Sequence, residues 1–175
     1  GNENIVSEMN QINYDSSWVN IGDLSVGTGG EQINIKTIDS LGLPKIDFIK
    51  IDVQGYEKFV LEGTIDNIKK YKPTIVIEIE EHQLRRFGYG CTELFNMIKD
   101  FGYVIYFLDY HYPSDHVCVH KDKLNDFIIK NKQWIRPLTE SNGLNHNLEN
   151  GIIEKIIYEI NKQDIIVIII YFGMS

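Results

Sequence analysis

Hydrophobic and polar residues follow two rhythms along this chain, and the switches between them predict its elements. Residues 32–38 read Gln-Ile-Asn-Ile-Lys-Thr-Ile, the polar–apolar alternation of a half-buried strand. Residues 45–53 are almost continuously apolar apart from Asp47 and Lys50, as in the central strand of a parallel sheet. Residues 56–71 change to a helical period, with Phe59, Val60, Gly63 and Ile68 near one face, and Pro73 stops them. Residues 74–80 form a third strand pattern. Residues 92–101 read as a helix closed by Gly102. Two further strands, 103–108 and 116–120, flank a Tyr112-Pro-Ser-Asp115 turn at hairpin spacing, so that pair is expected to be antiparallel.

Outside this block the pattern is weaker. Residues 1–30 are polar and Asn/Ser/Gly-rich, with a short strand near 5–12 and a flexible turn over Val26-Gly-Thr-Gly-Gly30. Residues 123–130 and 151–160 read as helices, and 131–150 as a loop. The tail 165–172 is eight apolar, mostly β-branched residues, a buried strand rather than a membrane span, which needs about 20. The alternation of strands and helices predicts an α/β fold with a mainly parallel sheet and one antiparallel strand pair.

At 175 residues the chain is one domain or most of one. Its net charge of −8 argues against a nucleic-acid partner. Lys69, Lys70 and Lys72 cluster where cations complement the end of a helix. Cys91 and Cys118 lack the spacing of a disulfide framework, and no signal peptide is visible, which points to a reducing, cytoplasmic setting without a membrane.

The chemistry concentrates at Asp52-x-x-Gly55-x-Glu57. An acid where a buried strand ends stands at the edge where open α/β sheets bind ligands. Asp52 either caps the following helix or meets a ligand, orients a proton or holds a metal there. Gly55, which permits close backbone approach, favours the second reading. Glu78 and Glu80 lie two apart and share a strand face, with Glu81 and His82 behind them. Paired carboxyls raise one another's pKa and suit acid–base work, although frayed acids at a strand end look the same. His116, Cys118 and His120 alternate beside Asp115, as metal ligands or as a strand face covered by a helix. Val26–Gly30 precedes a strand rather than opening a helix, unlike a phosphate loop. No hydrolase elbow, P-loop or His-Glu-x-x-His helix is present.

These residues resemble the FkbM-type methyltransferases. Thr37-Ile-Asp-Ser-Leu41, the block from Ile46 to Glu57, Val60-Leu-Glu-Gly63 and Lys72-Pro-x-Ile-x-x-Glu78 match the family's stretches, and Asn20 and Gly22 match a further Asn-x-Gly pattern. The resemblance covers about residues 20–120. It implies a Rossmann-like methyltransferase sheet, S-adenosylmethionine as cofactor, and a small-molecule or glycan hydroxyl as methyl acceptor. Asp52, Glu78 and His82 are then the expected catalytic residues, and Asp52, Val53 and Gln54 the positions beside the cofactor; a divalent metal is a further option. Residues 1–130 are expected to be a partial domain of this type and 131–175 an extension. Two departures stand out. Gln54 occupies a position where the family usually has Glu, keeping the shape but removing a charge. The family's upstream cofactor half, with its glycine loop, is expected to be missing. The sheet would then expose an edge open to self-association, or covered by the tail strand. The alternative function is a truncated, non-catalytic binding module of the same fold.

Overall fold

The structure, a computed structural model, describes residues 5–10, 26–27, 29–108, 115–131, 135–137, 146–148 and 167–171. The helix expected at 151–160 and the Asn20-x-Gly22 match lie outside them. Strands β1 (Ile5–Asn10), β2 (Val26–Gly27) and β3 (Gly29–Ile35) form a small antiparallel sheet ordered β2-β1-β3. The glycine stretch expected as a turn therefore supplies β2 and the start of β3.

A seven-stranded sheet holds the rest. Its strands are β4 (Phe48–Asp52), β5 (Thr74–Glu78), β6 (Tyr103–Leu108), β7 (Asp115–His120), β8 (Ile135–Pro137), β9 (His146–Leu148) and β10 (Val167–Tyr171), in the order β10-β4-β5-β7-β6-β9-β8. The pairs β10–β4, β4–β5 and β6–β9 are parallel; β5–β7, β6–β7 and β8–β9 are antiparallel. The expected hairpin pair is present, but the sheet is mixed rather than mainly parallel. The difference comes from β7, which lies between β5 and β6 and runs antiparallel to both. Residues 131–150, read as a loop, add β8 and β9, whose three-residue strands carry too short a pattern for alternation to register. The tail strand β10 lies parallel to β4, with Val167 opposite Phe48 and Tyr171 opposite Asp52, and so takes up the edge of the central strand.

Helices α1 (Glu57–Glu62), α2 (Ile65–Tyr71), α3 (Glu81–Arg85) and α4 (Cys91–Asp100) connect the first strands, and α5 (Leu124–Asn131) follows β7. Residues 56–71 make two helices instead of one. The break at Gly63 is set by a distant residue: the Asp39 carboxylate accepts from the backbone N–H groups of Asp66 and Asn67, both at 3.0 Å, and so caps α2. The Thr64 hydroxyl donates back to the Val60 carbonyl at 2.6 Å. The break also turns the buried face. Leu61 and Ile68 enter the core, while Phe59, expected there, is exposed.

The largest apolar cluster forms on one side of the sheet, while Phe48, Val76, Val117 and Val119 are buried on the other. Ile49, Ile51 and Val53 from β4 and its end, and Ile75 and Ile77 from β5, meet Leu61, Ile68, Leu84, Leu94 and Ile98. Each such side chain contributes roughly 1.5–3 kcal/mol by leaving water. Among the described residues no helix is long and apolar enough to cross a membrane.

Candidate active site

The opposite side of the same strands carries charge. In β4, Lys50 and Asp52 alternate with the buried isoleucines, as period-two side chains must. Ile51 is in register with Ile77, so Asp52 stands beside Glu78 at the next step. Glu78 is in register with Asp115 of β7. Three carboxyl groups thus lie in one row across β4, β5 and β7. Behind the row, the Lys50 ammonium sits 2.7 Å from Asp115 Oδ1 and 3.7 Å from Asp52 Oδ2.

Among the described residues one ammonium, that of Lys50, faces the three carboxyl groups. Burial, then the negative charge of Asp52 and a hydrogen bond with it, push the Glu78 carboxyl up to about 8, against the pull of Lys50. Near neutral pH Glu78 is therefore mostly a neutral acid.

The turn after β4 holds this arrangement. Gln54 has φ +53, a left-handed conformation uncommon outside glycine. It brings the side-chain amide under the acids, where Nε2 donates to Asp52 Oδ1 at 2.9 Å and to Glu78 Oε2 at 3.0 Å. Gln54 Oε1 accepts from Gln83 Nε2 at 2.6 Å. Gly55 follows at φ +102, and a Cβ there would meet the Gln83 carbonyl oxygen at 2.5 Å, so the close approach requires glycine. The Tyr89 hydroxyl donates to the Gly55 carbonyl at 2.6 Å and accepts from the Lys58 N–H at 3.1 Å.

The two readings of Asp52 now separate. The turn is capped by Glu57, whose Oε1 accepts from the Val53 and Gly55 N–H groups at 3.3 and 3.1 Å. Asp52 is released from that duty and stays partly exposed, with 22% of its side chain accessible. Glu57 is almost fully buried, and burial raises its pKa. Its Oε2 has no hydrogen-bond partner among the described residues.

The structure brings Asp52, Gln54 and Glu78 into one hydrogen-bonded group. Val53 is fully buried, its N–H turned to Glu57. His82 is placed elsewhere: it is exposed on α3, and its Nδ1 is 3.1 Å from Glu80 Oε2. His116 lies edge-on to Phe95 of α4, with ring centroids 5.2 Å apart, and His120 likewise meets Tyr103 at 5.3 Å. The alternating residues on β7 thus occupy a packed strand face. Among the described residues no group of three or more His, Cys, Asp or Glu could hold a metal ion.

Sequence reasoning passed over Gln83 and Tyr89. Neither carries a local signal, since each acts on a turn about thirty residues upstream. Lys50 is noted with Asp47 as a charge inside an apolar run, and Asp115 as the end of a turn beside a candidate metal-ligand set; neither is named as a site residue.

Comparison with known proteins agrees with the resemblance carried by these residues. Neither a curated protein nor a solved structure matches the chain. The profile of the methyltransferase FkbM domain matches residues 7–105, more than half of the sequence, including β3 through β5 with Asp52, Glu78 and the turn between them but not Asp115. The chain therefore belongs to the FkbM family of methyltransferase domains.

Proposed function

We propose that this chain serves S-adenosylmethionine-dependent O-methylation of a hydroxyl on a sugar, glycan or natural product, and supplies the acceptor side of the site. The observation that carries this reading is Asp52: a partly exposed carboxylate at the end of a central strand, held by an amide beside a proton-bearing Glu78, in a chain of this family.

The residues fit the positively charged cofactor in one respect and not in another. The row of Asp52, Glu78 and Asp115 against a single Lys50 suits a cation. Val53 and Gln54 have their polar groups engaged within the turn, which leaves Asp52 as the one of the three expected cofactor positions with a group to offer. When bound, S-adenosylmethionine supplies an electrophilic methyl on a sulfonium.

Asp52 would accept the hydrogen of the acceptor hydroxyl and take up its proton as the methyl passed from sulfur to oxygen, which would break the sulfonium's sulfur–carbon bond. Neutral Glu78 keeps a second negative charge from competing for that proton. Most of the acceleration comes from holding the oxygen in line at near-contact distance.

The test is a thermal-stability titration with S-adenosylmethionine and with S-adenosylhomocysteine. Ligand at one hundred times its Kd stabilises by about 2.7 kcal/mol. Stabilisation by both that weakens in Asp52→Asn supports the reading. No stabilisation by either rejects it for this chain.

A further inference from the structure

The substitution of Gln for Glu in the Asp-Val-x-Gly turn looks at first like the loss of a functional anion. The geometry points the other way. A glutamate at position 54 would set a third carboxylate against Asp52 and Glu78, with no hydrogen to offer either. The amide offers two, and both are used, at 2.9 and 3.0 Å. An amide can also turn over, exchanging oxygen for nitrogen at little cost in shape. Turned over, Gln54 would aim its carbonyl at the acids and its NH2 at the NH2 of Gln83; its bonds with Asp52 and Gln83 would be lost, and only a protonated Glu78 could still donate to it. Gln83 forbids this by donating to Gln54 Oε1 at 2.6 Å. Both amides are buried, Gln54 at 7% and Gln83 at 5% exposed, so water does not readily replace a lost bond.

The backbone is committed to the same end. A left-handed conformation carries a steric cost for a residue other than glycine. Position 54 bears that cost, and what it gains is the reach of its amide to two strands. The Gly55 contact with the Gln83 carbonyl sets α3 directly against the turn, so the second amide has a fixed origin.

We propose that Gln54 and Gln83 are positioning residues: Gln83 locks the Gln54 amide with its NH2 toward Asp52 and Glu78, and the locked amide keeps the two carboxyls side by side. The device rests on the proposed reading only for its use, since Asp52 and Glu78 would hold and receive the acceptor's proton; the hydrogen bonds stand without it. The charged and titratable groups that face the pair are Lys50, from β4, Asp115, from β7, and Glu57, from α1, which feels the charge of Asp52.

The experiment reads the carboxyls directly. Protein labelled with 13C at the Asp and Glu carboxyl carbons is titrated by NMR without ligand, comparing the unaltered chain with Gln54→Gly, Gln83→Met and Gln83→Glu. Gln54→Gly favours the left-handed turn and is expected to fold at least as well, yet to move the Glu78 titration upward because the donors that favour the ionised form are gone. Gln83→Met keeps the volume and frees the amide, giving a smaller upward move. Gln83→Glu accepts from the Gln54 NH2, turns the amide over and gives a larger move than Gln83→Met. A merely structural role would change melting temperature and leave the carboxyl titration in place. An unmoved titration in folded Gln54→Gly overturns the proposal, whatever the Gln83 variants do. Failure of the methyltransferase reading has a separate signature, the absence of stabilisation by S-adenosylmethionine in the unaltered chain.

Discussion

The two sides of β4 differ by one residue of phase and have opposite tasks. Ile49 and Ile51 are fully buried against the helices, while Lys50 and Asp52 keep about a fifth of their side chains accessible. On the first side, close packing and apolar area hold the fold. On the second, charges that cannot all be satisfied at once are kept in a fixed row. The sheet joins the two, because a one-residue slip of β4 would exchange its isoleucines and its charges. The strong apolar register on one side therefore sets the aim of the carboxylates on the other. Separability follows from this: damage to the core should cost stability and leave the row's titration intact, and damage to the row should do the reverse.

The largest break is expected from Leu61→Ala. Leu61 is fully buried beneath α1, and truncation should remove about 2–5 kcal/mol in a urea titration. The protein that remains folded should still titrate Glu78 near the position of the unaltered chain. A downward move of more than a unit would mean that core packing and carboxyl row are one coupled unit.

Glu78→Gln sharpens the same contrast from the other side. The Glu78 pKa is raised on folding to about 8, so the native state holds this proton more tightly than the unfolded chain. The sign follows. The group is neutral in both states at low pH, and its penalty appears above the ordinary carboxyl pKa as the unfolded chain ionises. The penalty grows until the native group ionises near pH 8, then levels off. Stability should therefore fall between about pH 4.5 and 8, with buried Glu57 adding to the same trend because its pKa is also raised by burial. Glutamine in place of Glu78 mimics the neutral acid. Denaturation midpoints across this range should fall less steeply than for the unaltered chain; an unchanged slope would put the bound proton elsewhere.

The side that carries the core was the more legible one. Apolar runs and alternation located β4, β5, β6, β7 and β10, because each buries a continuous stripe whose period is written locally. The single helix expected over 56–71 failed because its break depends on Asp39 capping α2 from 27 residues upstream. The carboxyl row was half legible. Asp52 and Glu78 end apolar runs and could be named, but their coupling to Asp115 requires the antiparallel return of β7, and α3, which carries Gln83, is a five-residue helix without a usable period. The role of Gln54 was hidden for a chemical reason: read alone, an amide where relatives carry an acid looks like lost charge, and only its two neighbouring carboxyls make it a donor.

A smaller effect is expected from Tyr89→Phe. The ring remains in the core, and the hydroxyl's bonds to the Gly55 carbonyl and the Lys58 N–H are lost. The cost should be about 1 kcal/mol, the ordinary net value of a buried hydrogen bond. The turn belongs to both sides of the comparison, so this variant should also shift the Glu78 titration slightly; a stability loss with no such shift would make Tyr89 a support of the core alone.

The smallest effect belongs to His82, and it tests where the row ends. His82 follows two glutamates in sequence and was a natural candidate for shared acid–base work. Its side chain is two-thirds exposed, and its close polar contact is Glu80, which lies two residues past the end of β5. The pair joins an exposed imidazole to a buried carboxyl, since only 7% of the Glu80 side chain is accessible, and a hydrogen bond of this kind contributes about 1 kcal/mol net. His82→Ala should then change stability by no more than about 1 kcal/mol. The Glu78 carboxyl should titrate unchanged in the same NMR experiment, since its neighbours are Asp52, Gln54, Lys50 and Asp115. A displaced Glu78 titration in His82→Ala would extend the network through Glu80 to the rim. The boundary drawn between proton-holding row and solvated strand end would then have to move outward by two residues.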